Sequence, residues 1–183
     1  MRRFRAFQGW VYTLYSSPVL RLDEWILEET DAAGEGFFVE IDAGDGLTNN
    51  NTRTLEENGW EGLLVEPDEK LFKQLQQNRP ECRTVWASIL PAGRRRADTG
   101  TLHTLSSLLA GTPDIDFLAL NNGTEIQTLM DFFEVEPQKV IRRMAVGYNL
   151  DQARLKRLRE VLEPRGYILS QLRGYDACFK ITA

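Results

Sequence analysis

The stretch Phe37-Phe38-Val39-Glu40-Ile41-Asp42-Ala43-Gly44-Asp45-Gly46 joins an apolar run to an acid and then to a turn holding two glycines. Phe37 to Ile41 is short, aromatic or β-branched and nearly continuous, the pattern of a strand covered on both faces. Gly44 and Gly46 permit backbone angles and a close ligand approach that a Cβ would forbid. A helix expected over residues 49–58 then aims free N–H groups at whatever binds. Strand, glycine turn and helix together make a nucleotide-binding opening.

Working outward, the next unit supplies a discriminating residue. After a helix stop at Asn58-Gly59, Leu63-Leu64-Val65-Glu66-Pro67 reads as a second buried strand. It ends in an acid about twenty residues past the glycine turn, where a ribose-binding carboxylate belongs. A nicotinamide dinucleotide would use the same acid, but its fingerprint is G-x-G-x-x-G, and counting from Gly44 the third glycine position holds Asn49. Glu40, ending the first strand, would repel a pyrophosphate and suits the ammonium and sulfonium charges of S-adenosylmethionine.

The blocks Gly36-Phe37-Phe38-Val39-Glu40-Ile41, Asp45-Gly46, Asn51-Thr52 and Leu55-Glu56-Glu57-Asn58-Gly59-Trp60-Glu61-Gly62-Leu63-Leu64-Val65-Glu66-Pro67 resemble the FkbM-type family of S-adenosylmethionine-dependent methyltransferases. Later blocks follow in the same order: Thr101-Leu102 with Leu108-Leu109, then Ile115-Asp116-Phe117-Leu118-Ala119-Leu120, then Gly123-Thr124-Glu125. The likeness runs from residue 36 to the C-terminus. It implies a donor site over Glu40, Asp42, Ala43, Gly44, Asp45, Gly46, Glu66 and Ser88, and O-methylation of a sugar or other small-molecule hydroxyl. The chain departs from the family at Asp42, where glycine is usual, at Asn121, where aspartate is usual, and in shorter segments at 88–101 and 121–125. Those departures open a second reading, in which the fold persists as a binding or interaction module without turnover.

The rest of the chain frames these blocks. With 183 residues, 42% of them hydrophobic, it holds one domain with a substantial core. Residues 1–35 read as a helical lead-in, with an amphipathic start opening on Arg2, Arg3 and Arg5 and a covering helix over residues 20–29. Residues 36–183 read as the α/β core. A net charge of −5 argues against a nucleic-acid partner, and nothing approaches a membrane span. Cys82 and Cys178 show no zinc spacing and fit reduced thiols in a cytoplasmic protein.

Further strands are expected over residues 84–87, 115–120, 140–146, 166–169 and 177–181, with helices over 67–78, 101–110, 124–133 and 150–162. Arg142-Arg143 mark the 140–146 strand as an edge or solvent-facing element. Residues 91–100, with Arg94, Arg95 and Arg96, read as a solvated loop. The expectation is a Rossmann-like methyltransferase domain: a mostly parallel twisted sheet with one antiparallel strand and helices on both faces. Glu40, Glu66, Ala87-Ser88 and Asn121 would converge at the carboxyl ends of its strands. Asn121 would there orient an acceptor hydroxyl, and Glu125 would serve as base if its helix start faces the pocket.

Overall fold

The computed structural model describes residues 22–30, 35–93 and 101–182, apart from the side chains of Asp23 and Glu24. The amphipathic start and the Arg94-Arg95-Arg96 loop lie outside the described residues. Eight strands form one sheet: β1 (Phe37–Ile41), β2 (Glu61–Glu66), β3 (Arg83–Ile89), β4 (Thr101–His103), β5 (Phe117–Leu120), β6 (Arg143–Gly147), β7 (Tyr167–Arg173) and β8 (Asp176–Ile181). Their spatial order is β4-β3-β2-β1-β5-β6-β8-β7, with β8 antiparallel to both neighbours and every other pairing parallel. The order reverses beside β1, so a cleft is expected between the carboxyl ends of β1 and β5.

Side-chain alternation along the central strands sorts the helices into two layers. Phe38, Leu64, Phe117, Ala119, Ala145 and Cys178 pack under α1 (Leu22–Glu29), α2 (Arg53–Glu57) and α3 (Glu69–Asn78) through Trp25, Ile26, Leu55 and Leu75. Val39, Ile41, Val65, Leu118 and Val146 face α4 (Leu105–Leu108), α5 (Glu125–Val135) and α6 (Gln152–Leu162) through Leu105, Leu129, Phe132, Leu155 and Leu158. Only a strand covered on both faces can carry a run like Phe-Phe-Val-Glu-Ile, and β1 is central.

Three expectations are corrected. The helix after the glycine turn is a single five-residue turn, Arg53–Glu57, because Asn50 and Asn51 are recruited by a buried acid instead of helical bonds. Residues 101–110 divide into β4 and α4: Thr101, Leu102 and His103 add to the outer edge of β3, and a reciprocal Thr104–Ser107 capping box starts the helix only afterwards. β6 is interior, between β5 and β8. Arg142 precedes it, bonded to Asp116, and Arg143 is its first residue, bonded to the Glu29 carbonyl, while Met144 to Gly147 are buried. At the far edge, the β7–β8 register slips between Leu169 and Gln171, a bulge in the outermost strand.

Candidate functional site

Glu40 leaves β1 on the α1–α3 face and is buried. Its Oε2 accepts from Asn50 Nδ2 at 2.9 Å and Thr52 Oγ1 at 2.6 Å, and its Oε1 from the Asn51 N–H at 3.1 Å. Burial pushes its carboxyl above the usual range, opposed by the bonds from Thr52, Asn51 and Asn50 and by the charge of Arg79. Arg79, just past α3, is fully buried and collects what the loop leaves over. Its Nη1 donates to Asn50 Oδ1 at 2.8 Å and to the Gly46 carbonyl at 3.2 Å, and its Nε pairs with Glu56. The N–H groups expected to await a ligand at this helix start are therefore spent on Glu40: that of Asn51 directly, and that of Thr52 through Asn50 Oδ1.

The turn itself is bonded to the second strand. The Ala43 N–H donates to the Val65 carbonyl at 3.0 Å, and the Gly44 N–H to Glu66 Oε2 at 2.7 Å, while the Asp68 N–H takes Glu66 Oε1 at 2.8 Å. Glu66 thus ties the glycine turn to the end of β2, and a carboxylate has room for about four hydrogen bonds in all. Asp42 has φ of 61° and Gly44 of 62°, the left-handed region that favours glycine and that aspartate tolerates better than most residues. A Cβ built on Gly44 would meet no heavy atom of the described residues within 4 Å, so among them nothing crowds the side-chain position of this turn. Asp45 faces its own loop: despite partial burial, N–H donation from Thr48 and Leu47 holds its carboxyl below the usual range. Ser88 is buried near the end of β3.

A second group of side chains lies beyond β1. Ala119 of β5 pairs with Ala145 of β6, and Ala145 with Cys178 of β8; two residues further along the same face come Asn121, Gly147 and Asp176. Gly147 is required by close approach, since a Cβ there would lie 2.4 Å from Asn121 Oδ1 and 3.3 Å from Glu125 Oε1. Asn121 is exposed and Glu125 fully buried, and Glu125 is engaged at both oxygens, by the Gly123 N–H and by Arg154. A cavity of ≈ 420 Å³ opens between the N-termini of α5 and α6, lined by Gly123, Thr124, Gln127, Arg154 and Arg157 among others.

The sequence-expected residues therefore fall into two neighbouring clusters, Glu40, Asp42 to Gly46 and Glu66 at one end, Asn121 and Glu125 at the other. Sequence reasoning missed Arg79, hidden in the helix stop Asn78-Arg79-Pro80, and Arg154, which reads as an ordinary helix-surface cation. It also missed Asp176, which follows Gly174-Tyr175 and reads as a turn acid. Asp176 is only 5% exposed, and burial followed by the charge of Glu40 pushes its carboxyl up to about 6. Among the described residues no cluster suits a metal ion, and no helix is long and apolar enough to cross a membrane.

No protein-family model matches the chain, and no curated protein matches it in sequence. Solved structures do match in fold. The methyltransferase domain of METTL16 superposes with a TM-score of 0.57 at 17% identity, over 86% of this chain and 64% of that one, so the chain spans just under two thirds of that domain. A TehB-like SAM-dependent methyltransferase from Corynebacterium glutamicum matches at 0.53 and 15% identity, over 88% of both chains. The N-terminal domain of human METTL16 in complex with SAH matches at 0.53 and 16% identity, over 86% of this chain and 65% of that one. The chain has the Rossmann-like fold of the SAM-dependent methyltransferases.

Two outcomes follow from these contacts. Arg79→Met is expected to lower stability by about 3–5 kcal/mol in urea denaturation, because Glu56 and the loop carbonyls lose a buried cation; a loss within experimental error would remove Arg79 from the framework. Asp176 works in the opposite sense. Its folded carboxyl lies above the ordinary 3.8, so its favourable contribution is full below about pH 4 and is lost as pH rises through about 6. Asp176→Asn is then expected to match the native chain at pH 4 and to exceed it at pH 8 by up to about 3 kcal/mol. A stability gap independent of pH would contradict this.

Proposed function

We propose that the chain is an S-adenosylmethionine-dependent methyltransferase that transfers the methyl group to a hydroxyl of a small molecule or sugar. The observation that carries this reading is the bare turn at Gly44 bonded to Glu66: a backbone cradle with an acid at the end of the next strand, in a fold used by methyltransferases. In this reading Gly44 and its neighbours Ala43, Asp45 and Gly46 carry the donor's amino-acid end past the first strand. Glu66 accepts from the ribose diol, and Ser88 borders the base. When bound, the donor supplies a methyl group made electrophilic by its sulfonium. The protein's own share is alignment and exclusion of water, with Asn121 orienting the acceptor hydroxyl.

Glu125 is better suited to holding Arg154 in place than to collecting a proton, since both its oxygens are committed. The resemblance to the FkbM-type family supports a hydroxyl acceptor, and so does the net charge of −5, which disfavours a polyanionic one. METTL16 and a putative RNA methyltransferase, PH1948, share the fold at 17% and 10% identity, so fold alone does not choose the acceptor. Free thiols at Cys82 and Cys178 are consistent with a cytoplasmic setting.

The direct test is thermal unfolding with S-adenosylhomocysteine. A ligand at about 100 times its dissociation constant adds about 2.7 kcal/mol to stability, and no shift at millimolar ligand would reject the donor site. Glu66→Ala is expected to weaken S-adenosylhomocysteine by about 1.5–3 kcal/mol in calorimetry, the value of hydrogen bonds to a charged group. Asp42→Gly is expected to bind more tightly with the fold intact by circular dichroism. Aspartate adds bulk, charge and a left-handed backbone angle where the turn passes the donor carboxylate. Weaker binding in the glycine variant would assign Asp42 to the donor ammonium instead.

A further inference from the structure

Asp176 is more than nine-tenths buried, yet among the described residues its carboxylate has no hydrogen-bond or ion-pair partner. A carboxylate with so little access to solvent is costly to ionise, and no described cation is paired with it to offset that cost. From β1, Glu40 presents a second negative charge. From β7, Arg173 lies opposite Asp176 in register but turns its Nε to Gln171 Oε1 at 2.8 Å. From α5, Glu125 keeps its charge for Arg154, and on β8 itself Lys180 is held by Glu29. Between Glu40 and Asp176 this face of the sheet carries only the small residues Ala119, Ala145 and Gly147, the two alanines being buried.

We infer that Asp176 is the proton acceptor of the methyl-transfer site, receiving the hydrogen of the acceptor's nucleophilic hydroxyl beside Asn121 and Gly147. This rests on the methyltransferase reading above and adds the residue that it lacks, since Glu40, Glu66 and Glu125 are engaged elsewhere. In the step, a lone pair of the acceptor oxygen forms the bond to the methyl carbon as the carbon–sulfur bond breaks, its electron pair passing to sulfur. The hydroxyl proton moves to Asp176, which returns it to solvent. Burial beside another carboxylate raises the proton affinity of Asp176 towards the working range of a general base.

The test needs no acceptor. Sinefungin carries an amine on carbon in place of the methyl on sulfur, so its ammonium points where the acceptor's hydroxyl would lie; S-adenosylhomocysteine has nothing there. Calorimetry at pH 8 on the native chain and on Asp176→Asn is expected to show sinefungin weakened roughly tenfold or more and S-adenosylhomocysteine changed less than about twofold. In the native chain the preference for sinefungin should fade as pH drops through about 6, and in the variant it should not change. Retained S-adenosylhomocysteine binding also reports that the variant is folded; Asp176→Ser gives the same comparison if the Asn variant is unstable. Equal effects on the two ligands, or none on sinefungin, overturn the role of Asp176 while leaving the donor site standing. Failure of the native chain to bind S-adenosylhomocysteine overturns both.

Discussion

A single buried guanidinium organises the loop on which the site depends. Arg79 touches the Gly46 carbonyl, Asn50, Thr52 and Glu56, and its charge reaches Glu40, so one side chain fixes both ends of the segment between β1 and α2. Arginine can do this because its donors are fixed in a planar fork and it stays charged when dry. The ring of Phe38 lies beneath it at 5.8 Å, which joins the cluster to the strand it serves. Without such a clamp the loop's carbonyls would need water, and a loop that takes up water does not keep its backbone shaped for a ligand.

The clamp also redistributes charge across the sheet. Glu40 looks from sequence like the acid that meets a cationic donor, yet it is drawn inward to anchor Asn50, Asn51 and Thr52. Among the described residues, Asp176 has no hydrogen-bond or ion-pair partner; it lies three strands away, at the start of the one antiparallel strand. Burial and the charge of Glu40 both act against ionisation of Asp176, so near neutral pH this residue subtracts from the stability of the fold.

What could be read in the sequence was whatever short-range pattern encodes. The β1 run, the turn at Gly44 and the acid at Glu66 declare themselves by composition and spacing, and the structure joins Gly44 to Glu66 directly. The switch point beside β1 follows from alternating strands and helices. Contacts with large sequence separation were not legible: Arg79 to Gly46 spans 33 residues and Arg154 to Glu125 spans 29, and no local period marks either. Two adjacent arginines make β6 look like an edge, yet the strand is interior: Arg142 precedes it and Arg143, its first residue, reaches out to the Glu29 carbonyl. Met130 on α5 is 41% exposed, because Thr128 and Phe132 take the inward positions. β4 was lost because three residues give no alternation to read.

The bulge at Leu169–Gln171 bears on how these molecules coexist at high concentration. β7 is a seven-residue strand at the outer margin of the sheet, and its exposed Ile168 and Leu172 would make a sticky rail for a strand from another copy. An incoming strand needs an unbroken row of backbone donors and acceptors, and the slipped register interrupts that row midway. The opposite margin is protected differently, by being too short: β4 offers only three residues. Among the described residues, neither rim of the sheet gives a neighbour a long continuous ladder on which to begin a fibre.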